Sequence, residues 1–352
     1  MDITTPGARV RRTGRATFAL LAVAGLAVGL TAGAVAQSPS APAAPAPPAP
    51  PAVEDGTFQM GVEPWIGYGP WWIADANGHF EANGVDTVVT NFNTDADINA
   101  ALISGQINGA NIATHTALRL ASEGTPITIV LLLDQSNAAD AILAGADITS
   151  VADLAGKQVA FEEGTTSDIL LRYALGQNGL TIEDIEPVLM GAGDAGVAAI
   201  AGQVPAAVTY EPYITTALTE NTDLSLLYTA AEKPGLIGDV FVVQNEYLAA
   251  HPGQVYALLQ AWGDAMADYD ADPAAGQAII EAAVGAEIGS LATAFDGVDL
   301  YDLAEAKALM TGGDYGATLT EVKDIALAAG IMATDVDEAA LIDTSYISTL
   351  VP

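Results

Sequence analysis

The segment ALISGQINGA, residues 101–110, has a counterpart about 100 residues later, AIAGQVPAA at residues 199–207. In each copy an apolar helical stretch ends at a Gly-Gln pair, and a short apolar segment follows. Gly just beyond a helix is the usual terminating residue because it takes a positive φ without steric cost. The pattern therefore predicts a helix, a turn and a short buried strand, twice, and so two similar lobes.

Polar and aromatic residues follow the predicted strand in each copy. Thr114 and His115 follow the first strand, and Tyr210 and Glu211 follow the second. Ligands of open α/β sheets bind beyond the carboxyl ends of the strands, so these four are candidate ligand-binding residues. Two other interpretations remain open: a buried structural histidine at 115, and a Glu211 that ends its strand in solvent.

The rest of the chain alternates strands and helices, which predicts an α/β fold with mostly parallel sheets. A long apolar strand at 125–134, continued at 141–144, can pass from one lobe to the next, and 239–244 is the predicted return strand. The predicted first lobe is 57–135 and the second 136–238. Residues 239–352 return to the first lobe and add C-terminal helices.

The N-terminal residues 1–36 have the order of a secretory signal. Four arginines precede residue 16, an apolar run extends to residue 36, and Ala34-Val35-Ala36 precedes Gln37. Arg11-Arg12 leaves twin-arginine export open, and an uncleaved membrane anchor is the alternative to cleavage. Residues 37–56 are rich in Pro and Ala and predict an extended tether. In each case the folded part lies outside the cytoplasm.

The chain is strongly acidic. Its 44 acidic residues against 10 basic ones give a net charge of −34, which argues against nucleic-acid binding. Charge repulsion of this size costs stability unless salt screens it. A saline habitat and a merely acidic secreted protein both fit. The absence of cysteine excludes disulfides and thiolate chemistry.

Two further regions carry candidate ligand-binding residues. Aromatic rings cluster in the Gly/Pro-rich loop after the first strand, and such rings commonly line small-molecule sites, although Trp72 fits the core better. Thr165 precedes a predicted helix whose free N–H groups could hold an anion or simply be capped. Acidic and hydroxyl residues lie where the crossing strands meet the hinge. The candidates from these regions are Trp65, Tyr68, Trp71, Thr165, Asp134, Ser136, Asp140 and Asp239.

No enzyme motif is present in the sequence. There is no Gly-x-Ser-x-Gly elbow, no phosphate-binding Gly-x-x-x-x-Gly-Lys-Ser/Thr loop, and no zinc spacing among the three histidines. We therefore predict no catalytic residues, no metal and no cofactor.

The ordered motifs resemble the solute-binding proteins of nitrate, sulfonate and taurine importers of the ABC type, which share a thiamine-pyrimidine-synthase-like, periplasmic-binding-protein fold. The resemblance covers residues 57 to about 345. It is carried by PWIGY (64–68), SGQI (104–107), DQSNAAD (134–140), DLAGKQVA (153–160), EGT (163–165) and AGQV through YEP (201–212).

The resemblance implies two doubly wound α/β lobes, joined by two crossover strands, that close on a small solute by hinge motion. It also implies a monomer that delivers the solute to a membrane permease and its ATPase. By family pattern the pocket draws on Trp65, Tyr68, Thr114, Thr165 and Glu211, together with the segment at Asp134. Relatives commonly have Asp at positions 108 and 205 and Trp at 210, where this chain has Asn, Pro and Tyr.

The charge of the solute stays open at this point. The family pattern favours an anion such as a sulfonate or nitrate, whereas Asp134, Glu211 and Asp239 favour a cationic or neutral amine, guanidine or pyrimidine compound. Two other functions also remain. An extracellular ligand-sensing module fits the same fold, and a pyrimidine-synthase-like enzyme resembles it but needs a cysteine-rich motif.

Overall fold

The alternating apolar residues of TFQMGV form the first strand, and strands from distant parts of the chain pair beside it. The structure, a computed structural model, describes residues 49–351. The predicted signal, 1–36, and most of the predicted linker lie outside these residues, and 49–56 contain no helix or strand. Within the described range, no helix combines the length and apolar character needed to cross a lipid bilayer.

The strands alternate with helices, as the sequence predicts. The strands are β1 (Thr57–Val62), β2 (Asp86–Asn91), β3 (Gly109–Ala113), β4 (Ile127–Ser136), β5 (Asp140–Gly145), β6 (Gln158–Phe161), β7 (Glu186–Leu189), β8 (Ala206–Tyr210), β9 (Leu224–Thr229), β10 (Gly238–Gln244) and β11 (Val298–Leu300). The helices are α1 (Gly69–Ala76), α2 (His79–Ala82), α3 (Asp95–Ser104), α4 (Thr114–Ser122), α5 (Thr166–Gln177), α6 (Ala192–Ile200), α7 (Tyr213–Glu220), α8 (Asn245–Ala250), α9 (Pro252–Ala271), α10 (Pro273–Ala283), α11 (Leu303–Gly312), α12 (Asp314–Ala328) and α13 (Ser345–Leu350).

The strands form two sheets, each the centre of one lobe. The first sheet has the order β11-β4-β10-β3-β1-β2, and the second has the order β7-β6-β8-β5-β9. All strands from 140 to 229 belong to the second sheet. The chain crosses between the sheets twice, from β4 to β5 and from β9 back to β10.

Most strands of each sheet run in one direction, as predicted, but each sheet is mixed: β10 and β11 run against β1–β4, and β5 runs against β6–β9. β1 runs parallel to β2 and β3, and β6 runs parallel to β7 and β8. β10 is antiparallel to β3 and β4, and β5 is antiparallel to β8 and β9. The reason is the direction of entry: a strand that arrives from the other sheet starts at the carboxyl ends of the parallel strands.

The repeated helix–turn–strand unit is confirmed. Helix α3 ends at Gly105, with φ +76°, and β3 follows; helix α6 is followed by Gly202, with φ +63°, and then by β8. The units occupy matching places, since β3 lies between β1 and the entering strand β10, and β8 lies between β6 and the entering strand β5. The two lobes therefore present the carboxyl ends of β3 and β8 in the same way.

Two glycine substitutions test the predicted turn, because they should change the free energy of unfolding in opposite directions. Gly202→Ala puts a Cβ into open space but onto a positive φ, so it should lower the free energy of unfolding by about 1 kcal/mol. Gly176→Ala, exposed and within α5, meets no neighbour and should raise it by about 0.5 kcal/mol. Urea unfolding of both variants measures the difference, and equal effects would contradict the turn assignment.

Candidate functional site

Acidic and aromatic side chains from both lobes line one space, which we call the central cavity. Its volume is about 20 Å³, room for about one water molecule and well below the volume of typical ligand sites. It is lined by Glu63, Trp65, Tyr68, Asp95, Ala113, Asp140, Thr166, Tyr210 and Asp239.

The crossing strands bring acidic residues to this space. Asp239, at the start of β10, pairs with Ala113 at the end of β3, and Asp140, at the start of β5, pairs with Tyr210 at the end of β8. A crossing strand thus begins beside the carboxyl end of a parallel strand in each lobe. The same geometry that makes the sheets mixed puts one aspartate from each lobe on the cavity wall.

The loop after β1 supplies aromatic groups that bind to buried carboxylates. The Trp65 indole Nε1–H donates to Asp134 Oδ2 at 3.3 Å, and the Tyr68 hydroxyl donates to Asp239 Oδ1 at 3.0 Å. Gly67 lies against the first pair, where any Cβ would overlap both the indole and the carboxylate. The loop needs glycine there because of this close approach.

One aromatic contact joins the lobes across the cavity. The rings of Trp65 and Tyr210 meet edge to face, with centroids 5.8 Å apart and planes at 89°. Trp65 belongs to the first lobe and Tyr210 to the second, and both side chains are buried. The two lobes are therefore in contact around the cavity, as expected of a closed form.

The carboxyl groups that line the cavity have raised pKa values. Burial, followed by the repulsion of Glu162 and Asp239, raises the pKa of Asp95 to about 8. Burial raises the pKa of Asp140 to about 7 and that of Asp239 to about 6. Burial and then Asp95 also raise the pKa of Glu63 well above its usual range. No Lys or Arg of residues 49–351 lines the cavity to offset this repulsion.

Asp134 and Ser136 lie at the floor between the lobes. Both are fully buried, and burial with the neighbouring Asp239 raises the pKa of Asp134. The Ser136 hydroxyl lies beside Asp140 and holds back the rise of the Asp140 pKa. Asp134 also lines a separate space with Thr114, whose hydroxyl lies 3.4 Å from the Tyr315 hydroxyl.

The other predicted site residues do not line the cavity. Trp71 is fully buried in the core, where its indole N–H donates to Asn111 Oδ1 at 2.7 Å. Thr114 and His115 begin helix α4, which the sequence interpretation missed. Burial, followed by the repulsion of Arg119, lowers the pKa of His115 to about 3, so its ring is neutral.

Thr165 caps the start of α5, and Glu211 accepts hydrogen bonds from the first turn of α7. Thr165 Oγ1 accepts from Ser167 N at 3.2 Å, and the next residue, Thr166, lines the cavity instead. The Glu211 carboxylate accepts from the Thr215 N–H at 3.0 Å and from its hydroxyl at 2.9 Å, at the start of α7. The helix start at Thr165, considered above for an anion, thus uses one of its N–H groups internally.

Glu63 and Asp95 line the cavity, although the sequence interpretation did not select them. Glu63 directly follows β1, and Asp95 begins helix α3 soon after β2. Their position after parallel strands was a usable signal, since that edge of a sheet holds ligands. Among the described residues, no three histidine or acidic side chains converge on a point where a metal ion could bind.

Glu162 connects the two lobes beside the cavity. It follows β6 in the second lobe, and one carboxylate oxygen accepts from Asp95 N at 3.1 Å, at the start of α3 in the first lobe. The other oxygen accepts from Ala192 N at 3.2 Å, at the start of α6. A negative group at a helix N-terminus is stabilised by the helix dipole, so this carboxylate serves two helices in different lobes.

Two mixed α/β lobes with two crossings and a shared cavity define the periplasmic-binding-protein fold. A family model described as NMT1/THI5-like matches residues 65–276, and the chain belongs to this family. It is 26% identical over 189 residues to a provisionally named binding protein of Brucella abortus, covering 53% of this chain and 58% of that protein. It is 26% identical over 209 residues to the taurine-binding periplasmic protein of Escherichia coli, covering 58% and 64%. The chain thus spans less than two thirds of these relatives.

Solved structures support the same fold. The alkanesulfonate-binding protein of Xanthomonas axonopodis pv. citri, solved with MOPS, superposes with a TM-score of 0.69 at 20% identity, covering 83% of this chain and 100% of that one. A desulfurization enzyme gives a TM-score of 0.63 at 15% identity, covering 84% and 99%. At these identities the likeness concerns the fold alone, which serves a binding protein in one case and an enzyme in the other.

The raised pKa of Asp140 makes a prediction about stability. The pKa of Asp140 is about 7 in the folded protein and near 4 in the unfolded chain. The folded state therefore loses stability relative to the unfolded state as the pH rises from about 4 to about 7. Asp140→Asn should therefore be more stable than the parent at pH 8, by roughly 1–3 kcal/mol, with a smaller gain at pH 5. The charged groups that face Asp140 are Asp95, Asp134, Glu211 and Asp239.

Denaturant unfolding of the ligand-free protein at both pH values measures this difference. Glu287→Gln removes one charge from an exposed position and controls for the overall acidity of the chain. A gain for Asp140→Asn that is no larger at pH 8 than at pH 5 would contradict the assigned ionisation.

Proposed function

We propose that this chain is the extracytoplasmic solute-binding component of an ABC importer, which captures a small solute between its lobes and delivers it to a membrane permease. The observation that carries this proposal is the central cavity, which both lobes line and which Trp65 and Tyr210 close by direct contact. The names of the E. coli taurine-binding relative and the Xanthomonas alkanesulfonate-binding structure agree with this role.

The connections between the lobes suit hinged capture. Within residues 49–351, only the segments 137–139 and 230–237 join strands of different sheets. Rotation about two short segments separates the lobes without breaking either sheet, which is the usual movement of binding proteins that close on ligands. The solute would then contact residues of both lobes only in the closed form.

Binding rather than catalysis is the function that the chemistry of the site favours. The chain has no cysteine and so lacks the cysteine-rich motif of the pyrimidine-synthesising relatives of this fold. Its four lysines lie away from the cavity. Tyr68 orients the carboxyl group of Asp239, and the other cavity carboxyl groups offer acceptors for the N–H groups of a ligand.

A thermal-shift screen with two cavity variants tests the binding role. The panel contains sulfonates including taurine, nitrate, amines and pyrimidines, because ligand bound to the folded state alone raises the melting temperature. For a compound that stabilises the parent protein, Trp65→Ala and Tyr210→Ala should each raise the ligand concentration needed for the same shift in melting temperature at least tenfold. Ile288→Ala, which truncates an exposed side chain, should leave the shift unchanged. The absence of any hit for the parent protein would refute a solute-binding role.

We further propose that the protein works in a saline environment, since its net charge of −34 requires screening. The Debye length falls from about 30 Å at 0.01 M salt to about 3 Å at 1 M. The melting temperature should therefore rise markedly between these concentrations of NaCl. Sucrose of equal osmolality controls for non-ionic effects, and equal melting at both salt concentrations would rule this proposal out.

A further inference from the structure

Four carboxyl groups line the central cavity, from Glu63, Asp95, Asp140 and Asp239, and Asp134 accepts from the indole N–H of Trp65. The groups come from both lobes, so a bound solute is surrounded by acidic side chains. A bound anion would be repelled by those carboxyl groups that are ionised and would find no positive charge on the cavity wall.

One of these groups is buried without a partner. Glu63 is 5% exposed, and its Oε1 has no hydrogen-bond partner among the described residues. A buried carboxylate oxygen without a donor costs free energy that a ligand N–H can recover. Glu63 lines the cavity, so the unsatisfied acceptor belongs to its wall.

The basic residues of the described chain are engaged elsewhere. Arg119 and Arg172 lie on a wider cleft of about 550 Å³ and pair with Glu123 and Asp168 at 3.2 and 2.6 Å. Lys323 pairs with Asp335 and Glu338. The lysines at 233 and 307 contact a glutamate and a backbone carbonyl, and Lys157 is exposed. The cavity thus has no basic side chain to neutralise an anion.

The aromatic walls complete a cation site. The rings of Trp65 and Tyr210 meet at the cavity, and a ring face attracts a cation within about 6 Å of its centre. The hydroxyl of Tyr68 already donates to Asp239, and the Trp65 N–H already donates to Asp134. The walls therefore offer mainly acceptors and π faces, and a ligand must bring the donors.

We propose that the central cavity binds a small organic cation with several N–H donors, of the ammonium, amidinium or guanidinium class, rather than a sulfonate or nitrate. This inference rests on the proposed solute-binding function and deepens it. Glu63 is the specificity-determining residue of the first lobe, and Asp140 is that of the second.

Isosteric probes of different charge test this inference. Guanidinium, urea and nitrate are planar and of nearly equal size, with charges of +1, 0 and −1; acetamidinium, acetamide and acetate form a second set. Isothermal titration at pH 8 measures the stoichiometry and affinity of each probe and of taurine. Ionic strength is kept constant with NaCl, and tetramethylammonium, which has no N–H, controls for non-specific attraction to an acidic protein.

The expected result is saturable binding of one guanidinium or acetamidinium per chain, with no binding of the neutral or anionic partners. Glu63→Gln and Asp140→Asn should each weaken it at least tenfold, whereas Glu287→Gln, at an exposed position, should leave it unchanged. The melting temperature of each ligand-free variant shows that it is folded.

Two results would overturn the inference. If nitrate, acetate or taurine bound with one-to-one stoichiometry and Trp65→Ala abolished this binding, the cavity would be an anion or zwitterion site. That result would still agree with the proposed importer function. Binding of no probe, or cation binding that Glu63→Gln and Asp140→Asn both leave unchanged, would remove the cation site. The importer function fails separately, if the broad solute screen also gives no hit.

Discussion

Burial of several carboxyl groups without a basic partner is the constraint on which the cavity depends. Burial raises the pKa of Glu63, Asp95, Asp140 and Asp239, and repulsion from Asp239 raises the pKa of the other three further. Indole and phenol donors from the loop after β1 counteract the rise of the pKa of Asp134 and Asp239. Sites that keep such unfavourable groups usually do so for function, because a core of apolar residues would be more stable.

The chain places these groups by the way it passes between the sheets. A strand that crosses from one lobe must enter the other at the cleft, so its first residue lies at the edge where the parallel strands end. Asp140 and Asp239 are the first and second residues of such strands. The two crossings therefore connect the lobes, where the proposed hinge would lie, and also bring one carboxyl group from each lobe to the same space. A change of register in either strand would alter both.

Much of this arrangement follows from the sequence. The Gly-Gln pairs gave the repeated unit, and Trp65, Tyr68, Asp140, Tyr210 and Asp239 do line the cavity. The prediction failed where the exact start of a helix determines which side chain faces the cavity. Thr165 and Thr166 differ by one helical step, which turns one side chain to the cap and the next to the cavity. His115 lies in helix α4, which was not predicted. The direction of β5 and β10 depends on where the chain crosses into each sheet, and no local sequence pattern shows this.

Glu162 contacts helices of both lobes. Its two oxygens accept from the first residues of α3 and α6, and burial keeps the pKa of this carboxyl above its ordinary value in spite of these donors. In the proposed opening of the lobes, the contact with α3 would be lost, while the contact with α6 would persist within the second lobe. The lifetime of the closed molecule would then depend partly on one side chain outside the cavity lining, so that residence time and selectivity could be set by different residues.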